Sequence, residues 1–191
     1  MFHATSGEGE QDAGRCGGAL TGPSVRVRGL CRSKGEPRTP VRGTHLAHKA
    51  MIRMLDHTAD VGFEVVEAPT LEDLFDETRQ ALLMTVFEEF PERGEDEDSV
   101  WLSAPDLETL LVRWINELVF FIQGDGFVPV SADLRIHEDE KEGFYLNARL
   151  TGAPLNLEGY GWQGEIKSAT FHGLEVTRGG SGWRAQVILD V

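Results

Sequence analysis

Beyond Gly124 the spacing of apolar residues changes, and this change constrains the fold more than any other feature of the chain. In VPVSADLRIHED and GFYLNARLTG apolar and polar residues alternate, as they do in EIKSATFHGLEV and GWRAQVILDV. A period of two marks strands with one buried face. The first pair of runs predicts a hairpin closed near Glu142 and Gly143, and the second a hairpin closed by RGGSG. Connections this short require neighbouring strands to run antiparallel.

Upstream of Gly124 the period is longer. Leu71, Leu74, Phe75, Thr78, Leu82 and Val86 recur at three- and four-residue spacings, which predicts a helix. Thr70 can cap it, Glu72, Asp73, Asp76 and Glu77 suit its positive N-terminal end, and it should stop before Pro91. A second helix is expected from about Pro105 to Gln123, burying Leu107, Leu110, Leu111, Trp114, Leu118 and Phe121 and stopped by Gly124. IRMLD, GFEVVE and VWLSA read as strands, with Phe63 and Val65 facing opposite to Glu64, and the acidic GEDED at 94–98 reads as a solvated loop. The order β-β-α-β-α-β-β-β-β predicts an α+β fold, a mixed or mostly antiparallel sheet covered by two helices.

Charge divides the chain at Met51. Residues 1–50 hold eight Lys or Arg against four Asp or Glu, with nine Gly, three Pro and no sustained period. Such a segment buries too little apolar surface to offset its ordering entropy, so 1–50 is expected to be a disordered extension. Met51 would serve as a natural initiator, and the extension then becomes a start-site artefact. Residues 51–191 form the expected domain and carry ten basic against twenty-eight acidic residues, or -18. A body this acidic repels a phosphate backbone, which argues against stable nucleic-acid binding and leaves room for a bound cation or an electropositive partner. Cys16 and Cys31 both lie in the extension, so a disulfide framework is not expected to hold the fold. With no apolar run long enough to span a bilayer and no secretory signal pattern, the expectation is a soluble cytoplasmic protein without a membrane partner.

Little in the chain resembles covalent or nucleotide chemistry. GYGWQG at 159–164 matches a dinucleotide-binding glycine pattern, but a strand-like run follows it where that motif requires a helix, so it reads as a flexible loop or bulge. Serines 99, 103, 131, 168 and 181 sit in ordinary strand or turn contexts, without a nucleophile elbow. Oxygen-ligand metal chemistry has better material. In MLDHTADVG, Asp56 and Asp60 place two carboxylates on a short connection between strands, suited either to a hard cation or to a polar turn. His57, between them, has no assigned role. At the far end, Asp190 and the carboxylate of Val191 form an anionic tip on a strand. If that tip meets the 56–60 connection, the converging carboxylates need a cation to hold them together.

Read in order, DHTADVGFEV, TLEDLFDETRQALL, LLVRWINELVFF, IKSATFHGLEV and the ending VILDV resemble the archease family, from about Met51 to Val191. The resemblance implies an α+β fold and a non-catalytic role, activation of an RtcB-type RNA ligase in tRNA splicing or RNA repair. Archeases promote GTP-dependent guanylylation of that ligase and its multiple turnover. By position the resemblance implies Asp60, Asp190 and Val191 as ligands of a divalent cation, calcium foremost and Mg2+ or Mn2+ compatible, with Asp56 a less secure fourth. It implies no catalytic residue in this chain. A chaperone or interaction module for an RNA or DNA methyltransferase is the alternative, and a hydrolase using the same carboxylates is more distant.

Overall fold

The computed structural model describes residues 50–56 and 61–191. The expectations for residues 1–49 of the 1–50 extension, for both cysteines and for His57 and Asp60 fall on residues outside that set, while Ala50 is described and buried.

The element order follows the hydrophobic periods. Strands β1 (Met51–Asp56) and β2 (Val61–Ala68) precede helix α1 (Leu71–Val86), strand β3 (Asp96–Ala104) and helix α2 (Leu107–Gln123). Strands β4 (Phe127–Asp139), β5 (Gly143–Pro154), β6 (Ser168–Gly179) and β7 (Gly182–Asp190) follow. Thr70 and Asp73 form a reciprocal capping box at the start of α1. Both late hairpins form, closing at Asp139 and Gly143 and at Gly179 and Gly182.

The strands make two sheets, ordered β1-β2-β7-β6 and β3-β5-β4, in which every pairing is antiparallel. The helices lie between them. Helix α1 packs on β2 and β7 of the first sheet and on β4 of the second, while α2 packs on β6 of the first and on β3, β4 and β5 of the second. Two helices covering one sheet therefore gives way to a sheet on each side of a helical layer. Helix α2 explains why: besides the expected stripe it buries Val112, Ile115, Val119 and Ile122, and a helix that is apolar on most of its circumference has to be enclosed. The outer face of each sheet is left to solvent.

Two boundaries differ from expectation. Helix α2 starts at Leu107, because the Asp106 carboxylate caps it by accepting from the Thr109 amide at 2.7 Å, leaving Pro105 outside. GEDED is only partly a loop, since Asp96, Glu97 and Asp98 pair with Gly152, Thr151 and Leu150 as the start of β3. Their backbones join the sheet edge while the carboxylates of Asp96 and Glu97 stay in water. Gly94, just before this edge, lies so close to β5 that an added Cβ would stand 1.9 Å from the Gly152 carbonyl oxygen.

The Asp106 cap has a measurable pH signature. Its hydrogen bonds with Thr109, side chain first and backbone second, hold the carboxyl below the ordinary aspartate range. A lowered folded-state pKa contributes stability above that range and loses it as pH falls through the folded value. Asp106→Ala should cost about 1 kcal/mol at neutral pH, and urea titrations should show the gap from wild type closing in acid. Among the described residues, no helix is long and apolar enough to cross a membrane.

Candidate functional site

One end of the first sheet gathers the chemistry that the sequence singled out. Asp56 pairs with Val61 across the β1–β2 hairpin, and Val61 pairs in turn with Leu189 of β7. The residue that follows Asp60 in sequence is thus the cross-strand neighbour of the residue that precedes Asp190. On the other side of β7, Asp190 pairs with Ser168 at the start of β6. The backbone of Asp56 stands two strands away from β7, roughly 10 Å at ordinary strand spacing. Asp190 and Val191 are both partly solvent-exposed, as a site open to a partner requires.

A residue without an assigned role in the sequence reading occupies the same place. Lys167 donates its backbone N–H to the Asp190 carbonyl oxygen at 2.8 Å. Its ammonium donates to the Val191 oxygen at 2.7 Å and lies 3.8 Å from Oδ1 of Asp190. The only sequence signal was compositional, since Lys167 is one of two lysines in residues 51–191. Helix α2 fixes the segment that carries it. Gln123 holds Ile166 from both sides, its Nε2 donating to Ile166 O at 2.5 Å and its Oε1 accepting from Ile166 N at 3.2 Å. Two turns earlier, Asn116 Oδ1 accepts from the Ala169 amide at 2.7 Å.

The donor set at this tip suits a hard cation. Its groups are a carboxylate and a main-chain oxygen, the ligand types that calcium and magnesium take, and the Lys167 ammonium shows that positive charge is accommodated between them. Of the four residues that the resemblance implies as ligands, Asp190 and Val191 lie together at this tip, Asp56 is placed by its backbone alone, and Asp60 falls outside the described residues. Among the described residues no three acidic or imidazole side chains converge, and Asp60 is not among them. The Lys167–Asp190 pair is solvent-exposed on both sides, and an exposed ion pair is weak enough to yield to a divalent competitor.

Beside the tip runs a groove of about 420 Å³, lined by Met54, Leu55, Met84, Ile166 and Val191 among others, with Glu165 at its polar margin. Met54 and Met84 are nearly half exposed. Methionine's flexible thioether adapts to irregular partner surfaces. GYGWQG lies nearby and is no nucleotide cradle. It folds back on the end of α1, where Phe87 packs edge-on against Tyr160 and Trp162 at 5.7 and 5.6 Å, and Gln163 N donates to Val86 O. The pattern is therefore better anchored than a flexible loop.

An antiparallel two-sheet α+β domain with an oxygen-rich tip at one sheet end is the class that fold and site define. The family model described as "Archease protein family (MTH1598/TM1083)" matches residues 53–191, and the chain belongs to the archease family. Protein archease of Methanosarcina barkeri is 31% identical over 72% of this chain and 93% of its own length. The Methanosarcina acetivorans protein reaches 34% identity with the same coverage. Among solved structures, Methanobacterium thermoautotrophicum protein 1598 has a TM-score of 0.59 and 27% identity, over 73% of this chain and 98% of that one.

Proposed function

We propose that this archease activates an RtcB-type RNA ligase in tRNA splicing or RNA repair, promoting guanylylation of the ligase by GTP and its multiple turnover. Family membership sets the class, and one observation supports the mechanism: β2, β7 and β6 bring the neighbours of Asp60, Asp190 and Lys167 to a single sheet end. Carboxylates carried on an exposed tip can reach into a partner's active site. A divalent cation held there, calcium in the first instance, would supply positive charge beside the triphosphate. The chain's own contribution is to orient Asp190 through strand pairing, to hold Lys167 beside it through Asn116 and Gln123, and to offer the methionine-lined groove to the ligase surface. The charge of -18 on residues 51–191 fits action on an RNA enzyme in the cytoplasm without a grip on RNA.

Covalent GMP labelling of the cognate ligase, with GTP and Mn2+ or Mg2+, tests this reading. Wild type should accelerate labelling, whereas Asp60→Ala and Asp190→Ala should each lose at least about tenfold of that stimulation, the scale of losing one strong transition-state contact. Absence of stimulation by wild type, or stimulation by both variants equal to that of wild type, would overturn it.

A further inference from the structure

The opposite end of the same sheet has the opposite charge. A groove of about 450 Å³ on the outer face is lined by Arg53, Arg178 and Arg184, with Glu64, Glu67 and Ser181. Only ten Lys or Arg occur in residues 51–191, so three of them line one groove in an otherwise acidic domain.

The arrangement is braced. Glu64 alternates with the core residues Phe63 and Val65, so it points away from the helices, yet it is only 7% exposed. Its Oε2 accepts from Arg53 Nη1 at 3.4 Å, and its Oε1 pairs with Arg184 Nη2. One buried carboxylate thus fixes two guanidinium groups, and each retains N–H donors beyond the one so engaged. Arg178 lies over the Trp183 ring, 5.6 Å from its centroid, and among the described residues it has no carboxylate partner. The backbone contributes as well. Glu67 has a φ of 63°, a left-handed conformation unfavourable for a glutamate, at a bulge between Val65 and Ala68. Strain of this kind concentrates where a site demands a particular backbone path. Gly182 meets that bulge so closely that a Cβ there would lie 2.6 Å from the Ala68 carbonyl oxygen.

We propose that this groove binds the phosphate group of a small phosphomonoester. Guanidinium forks match the oxygens of a phosphate, and three of them around two carboxylates leave a net positive charge to meet a dianion. The volume is that of a small-molecule site. The surrounding negative charge disfavours an extended polyanion, which selects a compact phosphate ester over an RNA strand. The site lies at the other end of the sheet from the tip, so its test is independent of ligase activation.

Backbone NMR on the full chain, following Gly179, Gly180, Gly182 and the Trp183 indole, provides the test. Titration with a nucleoside 5′-monophosphate should give saturable shifts at the β6–β7 turn, and inorganic phosphate should give the same pattern more weakly. Arg178→Gln and Arg184→Gln should each weaken binding about tenfold, as expected for losing one charge-assisted contact. Arg135→Gln, on the other sheet, should change nothing. Arg178→Gln leaves the Glu64 bridge in place, so the comparison holds even if Arg184→Gln disturbs folding. Absence of saturable shifts at millimolar ligand, shifts indifferent to Arg178→Gln, or tighter binding of an acidic peptide or a short single-stranded RNA would each overturn the proposal.

Discussion

Trp114→Ala should lower the unfolding free energy by about 4 kcal/mol, a large part of the stability of an ordinary domain. Trp114 is fully buried in α2, and its indole Nε1 donates to the Phe75 carbonyl oxygen of α1 at 3.0 Å. Truncation leaves a cavity in the helical layer and removes one hydrogen bond from a carbonyl that still accepts from the Thr78 hydroxyl at 2.8 Å. Trp114→Phe separates the two effects. It keeps most of the volume and should cost about 1 kcal/mol, the net loss of one hydrogen bond. Urea unfolding followed by far-ultraviolet circular dichroism checks both, and equal losses for the two variants would mean that the hydrogen bond, not the packing, carries the effect.

The second large effect is expected at Arg79. This guanidinium is 3% exposed, donates from Nη1 to the carbonyl oxygens of Pro129 and Val130 at 2.9 Å each, and pairs with Asp76 through Nε at 2.7 Å. Strand β4 shifts register between Pro129 and Ser131, and such a bulge leaves backbone groups without ladder partners. Arg79 supplies the missing donors from the helical layer and ties α1 to the second sheet. Arg79→Met keeps much of the aliphatic stem but abandons both carbonyls, and should cost about 3 kcal/mol. Hydrogen exchange should show the loss first as faster opening of β4 near the bulge. Uniform change across both sheets would argue against a local role.

How far the sequence could be read follows from what periodicity records. The order of nine elements and both late hairpins were legible because alternation and turn residues are local signals. The enclosing second sheet was not. The amphipathic stripe assigned to α2 stopped at six residues, although Val112, Ile115, Val119 and Ile122 lay in the same string and give the helix a second apolar face. Arg79 was passed over because a buried arginine in a helix has no periodic signature; it depends on a bulge fifty residues away. The carboxylates of MLDHTADVG and LDV were conspicuous as residue types, but the adjacency of their strands rests on the Val61–Leu189 register, which no local pattern encodes. Lys167 is a similar case, brought to Asp190 by the pairing of β6 with β7 and held by two polar residues of α2.

Strand β7 is an interior strand, inserted between β2 and β6. In a chain synthesised from its N-terminus, β2 emerges more than a hundred residues before the strand that covers its free edge. Until residues 182–190 arrive, β2 and β6 both expose unpaired backbone, the kind of edge that invites association with other chains. The same strand carries Asp190, so closing the sheet and presenting the acidic tip are one event. A chain that fails to seat β7 therefore exposes two unpaired edges and lacks the ordered tip at once.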